Sequence, residues 1–140
     1  MIREFKSQGI EIIMKLWLET NISAHSFIKS DYWKNNYDVV KESMPDALIY
    51  IYEENDVIQG FIGLMDDYIA GIFVSVQLQS KGIGKKLLDY AKSKRNKLSL
   101  NVYKKNKRAV NFYVGAYFLV SNEQVDENTG EIELSMSWAK

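Results

Sequence analysis

The sequence predicts a mixed α/β (α+β) fold, with a twisted, mostly antiparallel sheet of about seven strands flanked by about four helices. Four segments carry apolar residues at helical spacing, and short apolar or alternating runs typical of strands lie around them. No linker, repeat or low-complexity segment divides the 140 residues. Residues 1–140 are therefore expected to form a single domain that is large enough for an ordinary core.

The N-terminal half predicts a strand, two helices and a hairpin. The elements are a strand at Ile2–Phe5, a helix from Ile10 to about Asn21, a helix striped from Trp33 to Met44, and strands at Leu48–Tyr52 and Val57–Met65. Residues 22–30 are expected to be a loop. Pro45 is expected to end the second helix, because proline lacks the backbone N–H that a helix interior needs.

The C-terminal half predicts two further helices set between strands. The elements are a strand at Tyr68–Val74, a helix from Ile83 to about Lys94, a strand over Leu98–Val102, a short helix over Ala109–Ala116, and strands at Phe118–Val125 and Ile132–Trp138. The complete order is β-α-α-β-β-β-α-β-α-β-β.

The composition argues against several classes of function. The 18 basic and 18 acidic residues cancel, which is not typical of a protein that coats nucleic acid. There is no cysteine and one histidine, so disulfides, thiolate catalysis and Cys-based or His-rich metal sites are excluded, and no metal is expected. Residues 1–5 lack a signal-peptide apolar core and no run reaches membrane-spanning length, so we expect a cytoplasmic protein without a membrane partner.

A glycine-rich loop between a strand and a helix is the most informative feature of the chain. Gly82 and Gly84 lie after the strand that ends at Val74, and the apolar stripe of a helix starts at Ile83. The first N–H groups of a helix lack intrahelical acceptors, and the helix dipole favours an anion there. Glycine also lets the backbone approach a ligand closely. The loop therefore predicts a phosphate cradle.

The spacing of the glycines excludes two common phosphate loops. A P-loop has four residues between its glycines and ends in Gly-Lys-Ser/Thr, whereas one residue separates Gly82 from Gly84. A dinucleotide fingerprint needs a third glycine at position 87, which is Leu87. On spacing alone, a tight strand-to-helix turn without a ligand stays open as an alternative.

Two segments resemble the GNAT family of N-acetyltransferases. Gln79-x-x-Gly82-x-Gly84 after a strand is similar to the acetyl-CoA loop of that family, and residues 106–113, which read NKRAVNFY, are similar to its N-x-x-A-x-x-F-Y block. Similarity to small bacterial members extends over the chain, from residues 16–19 to residues 136–138. The resemblance implies an acetyl-CoA-dependent N-acetyltransferase in which a primary amine attacks the thioester directly.

The resemblance also implies which residues bind acetyl-CoA. Backbone N–H groups of residues 80–85 would hold the pyrophosphate, and pantetheine would pair with the backbone near Phe73, where the sheet of this family splays open. The implied cofactor-binding residues are Phe73, Val74, Gln79, Ser80, Lys81, Gly82, Ile83, Gly84, Lys85, Asn106, Ala109, Phe112 and Tyr113.

The same resemblance places Tyr113 near the thioester sulfur, where a phenol can protonate the departing thiolate. The attacking amine must lose a proton, because an alkylammonium is almost fully charged at neutral pH. Asp66 and Asp67 precede the cofactor strand and are the predicted proton acceptors, with Glu19 and His25 as further candidates.

Two positions depart from the family pattern. Val76 stands where proline is usual, which removes some rigidity from the loop. Tyr117 stands where a glycine usually ends the helix, and Gly115 lies two residues earlier. Either the helix ends early or Tyr117 takes a left-handed conformation, and the choice affects the pose of Tyr113.

An aromatic and mildly acidic segment is predicted to face the acceptor. Phe27, Tyr32, Trp33 and Tyr37 cluster with Asp31 and Asp38, which suits a cationic amine, although the aromatic residues equally suit a core under the second helix. The predicted substrate-side residues are His25, Phe27, Tyr32 and Trp33. A protein lysine or N-terminus is the expected acceptor. The alternatives are a small amine or antibiotic, a charged tRNA (disfavoured, like any nucleic-acid partner, by the neutral charge), and a non-catalytic acetyl-CoA-binding module. A monomer or homodimer is expected.

Overall fold

The computed structural model describes residues 1–140 as one seven-stranded sheet with five α-helices. The strands are β1 (Ile2–Glu4), β2 (Leu48–Glu54), β3 (Val57–Met65), β4 (Tyr68–Val74), β5 (Lys97–Tyr103), β6 (Leu119–Val125) and β7 (Ile132–Ala139). The helices are α1 (Ile10–Ala24), α2 (Ser30–Asn35), α3 (Tyr37–Ser43), α4 (Ile83–Lys94) and α5 (Lys107–Gly115). The predicted order of strands and helices is confirmed, apart from the division of the second helix.

The sheet has the strand order β1-β2-β3-β4-β5-β7-β6. Only β4 and β5 run parallel, and every other neighbouring pair is antiparallel. The prediction of a mixed, mostly antiparallel sheet is therefore confirmed. The parallel pair lies at the centre of the sheet, and its crossover is the glycine loop followed by α4.

The helix predicted over Trp33–Met44 is two short helices that meet at Asn36. The side-chain amide of Asn36 donates to the carbonyl of Tyr32 at 2.7 Å, and its backbone has φ −95° and ψ 0°. Asparagine side chains compete in this way for backbone groups and interrupt helices. The start of the predicted loop was also wrong, because α1 continues to Ala24 while the amide of Asn21 bonds back to Trp17 at 2.9 Å.

Two apolar layers hold the helices on opposite faces of the sheet. On one face, Leu87 and Ala91 of α4 pack with Leu98 and Leu100 of β5. On the other face, α1 packs on β2 and β3 through the cluster that includes Ile13, Met14, Trp17, Ile49, Ile51 and Phe61. Alternation along each strand sends successive side chains to opposite layers. None of the helices combines the length and apolar character needed to cross a lipid bilayer.

Candidate active site

Strands β4 and β5 separate after a short stretch of pairing. Tyr68 is in register with Ser99 and Ile69 with Leu100, and no further pair joins the two strands. Beyond this point β4 stays paired with β3 as far as Val74, and β5 with β7 as far as Tyr103. The facing edges of β4 and β5 therefore carry backbone donors and acceptors that the sheet does not use.

A large cavity lies at the opening between the two strands, whose residues form part of its wall. It has a volume of about 690 Å³, within the range usual for small-molecule sites, and residues of α1, β4, β5, β7, α4 and α5 line it. A β-bulge lies on the other side of β4, in its ladder with β3, because Gly63 pairs with Gly71 and Leu64 with Ile69, which leaves Ala70 without a partner on β3. Bulges are enriched next to active sites.

One end of the cavity is a cradle of free backbone N–H groups. From Gln79 to Lys85, no backbone N–H donates to an acceptor within the protein. Gly82 is the N-cap residue that precedes α4, with φ +88°, and a Cβ on it would meet no atom within 4 Å. The glycine therefore supplies a left-handed conformation and leaves the approach to the helix N-terminus open. These features fit the phosphates of a nucleotide-like ligand.

Side chains from the loop and from α5 hold this cradle in place. Arg108 donates to Oε1 of Gln79 at 2.7 Å and to Oγ of Ser80 at 2.6 Å. The amide of Gln79 also donates to the carbonyl of Val74 at 3.1 Å. Ser80 has φ +66°, an uncommon conformation that these contacts help to maintain. The loop conformation thus depends on a residue of a different helix.

The predicted cofactor residues are brought together, with one exception. Phe73, Val74, Gln79, Ser80, Gly82, Ile83, Gly84, Lys85, Asn106, Ala109, Phe112 and Tyr113 all line the cavity. Lys81 does not line it, and the ammonium of Lys85 is paired with Asp89 at 2.7 Å. The backbone of the loop, rather than these lysines, therefore forms the cradle. Their contact with the cofactor stays a prediction.

Tyr113 lines the same cavity and packs against Phe112 and Phe118. Its hydroxyl forms no hydrogen bond within the protein, and burial raises the pKa of its phenol above the usual value, with a smaller contribution from Tyr68. The phenol therefore stays protonated at neutral pH. Tyr117 takes the left-handed conformation, with φ +71°, and the N–H of Phe118 donates to the carbonyl of Tyr113. The helix therefore ends in the same way as it would with the glycine that is usual at position 117.

His25 and Trp33 also line the cavity, whereas Phe27 and Tyr32 do not line it and pack against them. The imidazole of His25 stacks on Trp33 with 5.1 Å between ring centroids, and Phe27 meets its edge at 5.7 Å. Burial lowers the pKa of His25, against a smaller opposite effect of its hydrogen bond to Asn21. The predicted acceptor segment thus forms one aromatic wall, two of whose members contact the cavity.

Comparison with known proteins agrees with these features. A sequence model of the acetyltransferase (GNAT) domain matches residues 4–138. The chain is 33% identical over 140 residues to peptidyl-lysine N-acetyltransferase YiaC of Escherichia coli (strain K12), covering 99% of this chain and 96% of that protein. The chain belongs to the GNAT family of acetyltransferases. The expected family membership is therefore confirmed.

A second relative is similar to this chain in both sequence and structure. The GNAT chain is 25% identical over 131 residues to peptidyl-lysine N-acetyltransferase YjaB of Escherichia coli (strain K12), covering 93% of this chain and 89% of that protein. The solution structure of apo-form YjaB from Escherichia coli superposes with a TM-score of 0.87 at 25% identity, over 99% of this chain and 96% of that one. As a GNAT enzyme, the protein transfers an acetyl group from acetyl-CoA to an amine.

The carboxylates predicted as proton acceptors do not lie in this GNAT site. Asp66 and Asp67 form the turn between β3 and β4, at the end where β4 and β5 are still paired. Arg95, just after α4, donates to the carbonyl of Asp66 at 3.2 Å and pairs with the carboxylate of Asp67 at 3.5 Å. Neither aspartate lines the cavity, so their position before the cofactor strand was a poor guide. Glu19 pairs with Lys15 on the exposed side of α1.

Sequence reasoning missed several polar residues of the cavity wall. Tyr68, Asn101, Tyr103 and Glu133 line the cavity. The alternation of β7 places Glu133 on the sheet face opposite Leu134 and Met136, but the sequence does not reveal that β7 lies beside β5. No group of His, Cys, Asp and Glu side chains has an arrangement that could hold a metal ion.

Proposed function

We propose that the protein is a peptidyl-lysine N-acetyltransferase that moves the acetyl group of acetyl-CoA to the side-chain amine of a lysine in a protein or peptide. The observation that carries the proposal is the continuity of the cavity, which joins the N–H cradle, Tyr113 and the wall of Tyr68, Tyr103 and Glu133. We call the part of the cavity around this wall the acceptor half. It combines aromatic faces with a carboxylate, which suits an alkylammonium. The relatives YiaC and YjaB, both named peptidyl-lysine N-acetyltransferases, support the same acceptor class.

In this proposal, the cradle binds the pyrophosphate and the open edges of β4 and β5 bind the pantetheine amides. Free N–H groups at a helix N-terminus match a phosphate, and unpaired strand edges match an amide chain. Acetyl-CoA supplies an activated thioester. Arg108, through Gln79 and Ser80, holds the loop in the conformation that exposes these donors.

The lysine amine attacks the thioester carbonyl carbon, so a C–N bond forms and the C–S bond then breaks. Tyr113 would donate its phenolic proton to the departing sulfur, because sulfur leaves more readily as a thiol than as a bare thiolate. The hydroxyl of Tyr113 has no protein acceptor to compete for its proton. The attacking nitrogen loses one proton as the amide forms, and that proton restores the phenol of Tyr113.

An acceptor screen that reads CoA release tests this function. A lysine peptide with a blocked N-terminus, a peptide with a free N-terminus and no lysine, a polyamine and an aminoglycoside would be compared at equal concentration. We expect the highest kcat/KM for the blocked lysine peptide. Preference for the aminoglycoside or polyamine would contradict the lysine proposal in favour of a small-molecule acetyltransferase. Tight acetyl-CoA binding without turnover of any amine would favour a non-catalytic binding module.

Four broader properties belong to the same proposal. Residues 1–140 act as one N-acetyltransferase domain, the protein works in the cytoplasm, and it binds acetyl-CoA and its acceptor without a nucleic-acid or membrane partner. We infer a monomer or a homodimer. Light scattering at two protein concentrations checks the oligomeric state.

A further inference from the structure

Glu133 is the only carboxylate that lines the cavity. It lies on β7, opposite Tyr103 of β5 and Gln124 of β6. Its side chain is on the face of the sheet that carries α1, since the neighbouring Leu134 packs toward α4 and α5 on the other face. Glu133 is therefore part of the acceptor half of the cavity.

Glu133 has no cationic partner, unlike the two carboxylates nearest to it on the same hairpin. Glu123 pairs with Lys104 at 2.7 Å and Glu131 with Lys105 at 3.1 Å. The only side-chain hydrogen bond of the Glu133 carboxylate is the one that its Oε1 accepts from the side-chain amide of Gln124, at 3.1 Å. A half-buried carboxylate whose one side-chain donor is neutral keeps its charge uncompensated, and a cation beside it would be favourable.

The cations that line the cavity cannot supply that partner. Lys85 and Arg108 both lie at the cradle end, where Lys85 pairs with Asp89 and Arg108 holds Gln79 and Ser80. His25 is the remaining basic side chain of the wall, and its ring nitrogens are already engaged with Asn21 and Asn106. The charge of Glu133 therefore stays available to a ligand.

The field of Glu133 reaches the side chains that surround the acceptor half. Burial is the main reason that the pKa of Tyr68 is raised, and the charge of Glu133 adds to it, against a weaker effect of Asn101. The same charge contributes to the raised pKa of Tyr32, after burial and Asp126. Glu133 therefore lies close enough to Tyr68 and Tyr32 for its charge to act on their phenols.

We propose that Glu133 binds the ammonium group of the acceptor and takes the proton that the amine must lose before it attacks. The inference rests on the proposed function and names the residue that performs its first step. The proton moves from nitrogen to a carboxylate oxygen of Glu133 and then to solvent, which leaves a neutral amine with a free electron pair. A carboxylate suits this role because it first attracts the ammonium and then accepts the proton as the amine enters the less polar site.

The test compares Glu133→Gln with the wild-type enzyme. The glutamine keeps the size of the side chain and an oxygen for the amide of Gln124, so the hairpin is retained. Glu123→Gln is the matched control, since it removes a carboxylate from the same hairpin outside the cavity. Thermal unfolding and acetyl-CoA affinity are measured for each variant, and Glu133→Asp provides a second variant that keeps the charge.

Two acceptors separate the proposed role from a general loss of activity. One is a lysine peptide, and the other is the same peptide with an aminooxy group, which is uncharged at neutral pH and needs no initial deprotonation. We expect Glu133→Gln to lower kcat/KM about 100-fold for the lysine peptide and about threefold or less for the aminooxy peptide. Glu133→Asp recovers part of the lysine activity. Acetyl-CoA affinity and the Glu123→Gln enzyme stay near wild type.

Equal losses with both peptides, or unchanged activity with lysine, would overturn the role of Glu133. The proposed function fails separately, when the wild-type enzyme does not acetylate lysine peptides. In that case the same comparison is made with the amine that the enzyme accepts and its aminooxy analogue, so Glu133 is still tested. A large loss of acetyl-CoA affinity in Glu133→Gln would assign it to cofactor binding and also overturn the inference.

Discussion

Nε2 of His25 and Nδ2 of Asn106 lie 3.2 Å apart and join the end of α1 to the start of α5. The carbonyl of Asn21 can only accept, so Nδ1 of His25 carries the proton and donates to it at 3.0 Å. Nε2 is then bare and accepts from the Asn106 amide, whose oxygen accepts the N–H of Ala109. The network thus requires a neutral imidazole and a single orientation of the amide.

Protonation of His25 is expected to destabilise the protein. A second ring N–H would face the Asn106 amide, and the amide cannot turn without losing the N–H of Ala109. Burial already lowers the folded-state pKa of His25 below its usual 6.5. Tyr103, Trp33 and Phe27 surround the ring, and the nearest charges behind them are Lys105 over Phe27 and Asp126 bonded to Tyr103.

Since the folded state binds the proton less tightly than the unfolded state, the stability due to His25 is complete above about pH 6.5 and falls as pH decreases toward the folded-state pKa. Urea unfolding from pH 8 to pH 5 measures this. In His25→Gln, whose amide oxygen can still accept from Asn106, the slope over that interval should decrease. An unchanged slope in the variant would assign the pH dependence to other groups.

Gly84→Val should weaken acetyl-CoA binding by about tenfold or more while the protein stays folded. A Cβ at Gly84 would lie 3.6 Å from the ring of Phe112 and 3.8 Å from Val74, which is ordinary contact, so the protein tolerates it, while the two further methyl groups of valine add bulk beside these two residues of the cavity wall. Gly115→Val is a suitable control because a Cβ there meets nothing within 4 Å and the residue lies outside the cavity. Calorimetry with acetyl-CoA compares the two. Equal affinity in both variants would contradict the cradle.

Local patterns predicted the cradle because its parts are consecutive in the chain. The strand before Gly82, the two glycines and the helix stripe from Ile83 follow each other within one crossover, so spacing alone orders them. The break at Asn36 was missed for a related reason. The apolar stripe of Trp33, Tyr37 and Val40 keeps its phase across the break, and only the side-chain bond to Tyr32 interrupts the helix.

The acceptor side could not be predicted in the same way, because long-range pairing creates it. Glu133 meets Tyr103 only because β7 lies between β5 and β6, an arrangement that no local pattern encodes. Asp66 and Asp67 were chosen for their place before β4, and the next residue, Tyr68, does line the cavity. The aspartates themselves lie outside it, in the turn between β3 and β4, where Arg95 bonds to both of them, and no local pattern in the sequence marks that contact.

Arg108→Gln should raise the KM for acetyl-CoA about tenfold and leave kcat close to wild type. The variant loses the two bonds that hold Gln79 and Ser80, so the loop must be ordered when the cofactor binds. One order of magnitude corresponds to about 1.4 kcal/mol, a moderate value for two solvent-accessible charge-assisted bonds. Lys107→Gln removes an adjacent charge without touching the loop and serves as the control. A similar change in both variants would indicate a general charge effect.

Tyr113→Phe should lower kcat about 100-fold and change the affinity for acetyl-CoA only a few-fold. The phenyl ring keeps the packing against Phe112 and Phe118, so the variant removes only the proton donor. A direct test of that role uses acetyl thioesters whose thiols differ in acidity. The loss caused by the variant should shrink as the leaving thiol becomes more acidic, since a stable thiolate needs no proton.

Tyr90→Phe, outside the cavity on α4, is the control and should behave as wild type. An equal loss with every thioester would mean that Tyr113 positions the substrate instead of protonating sulfur.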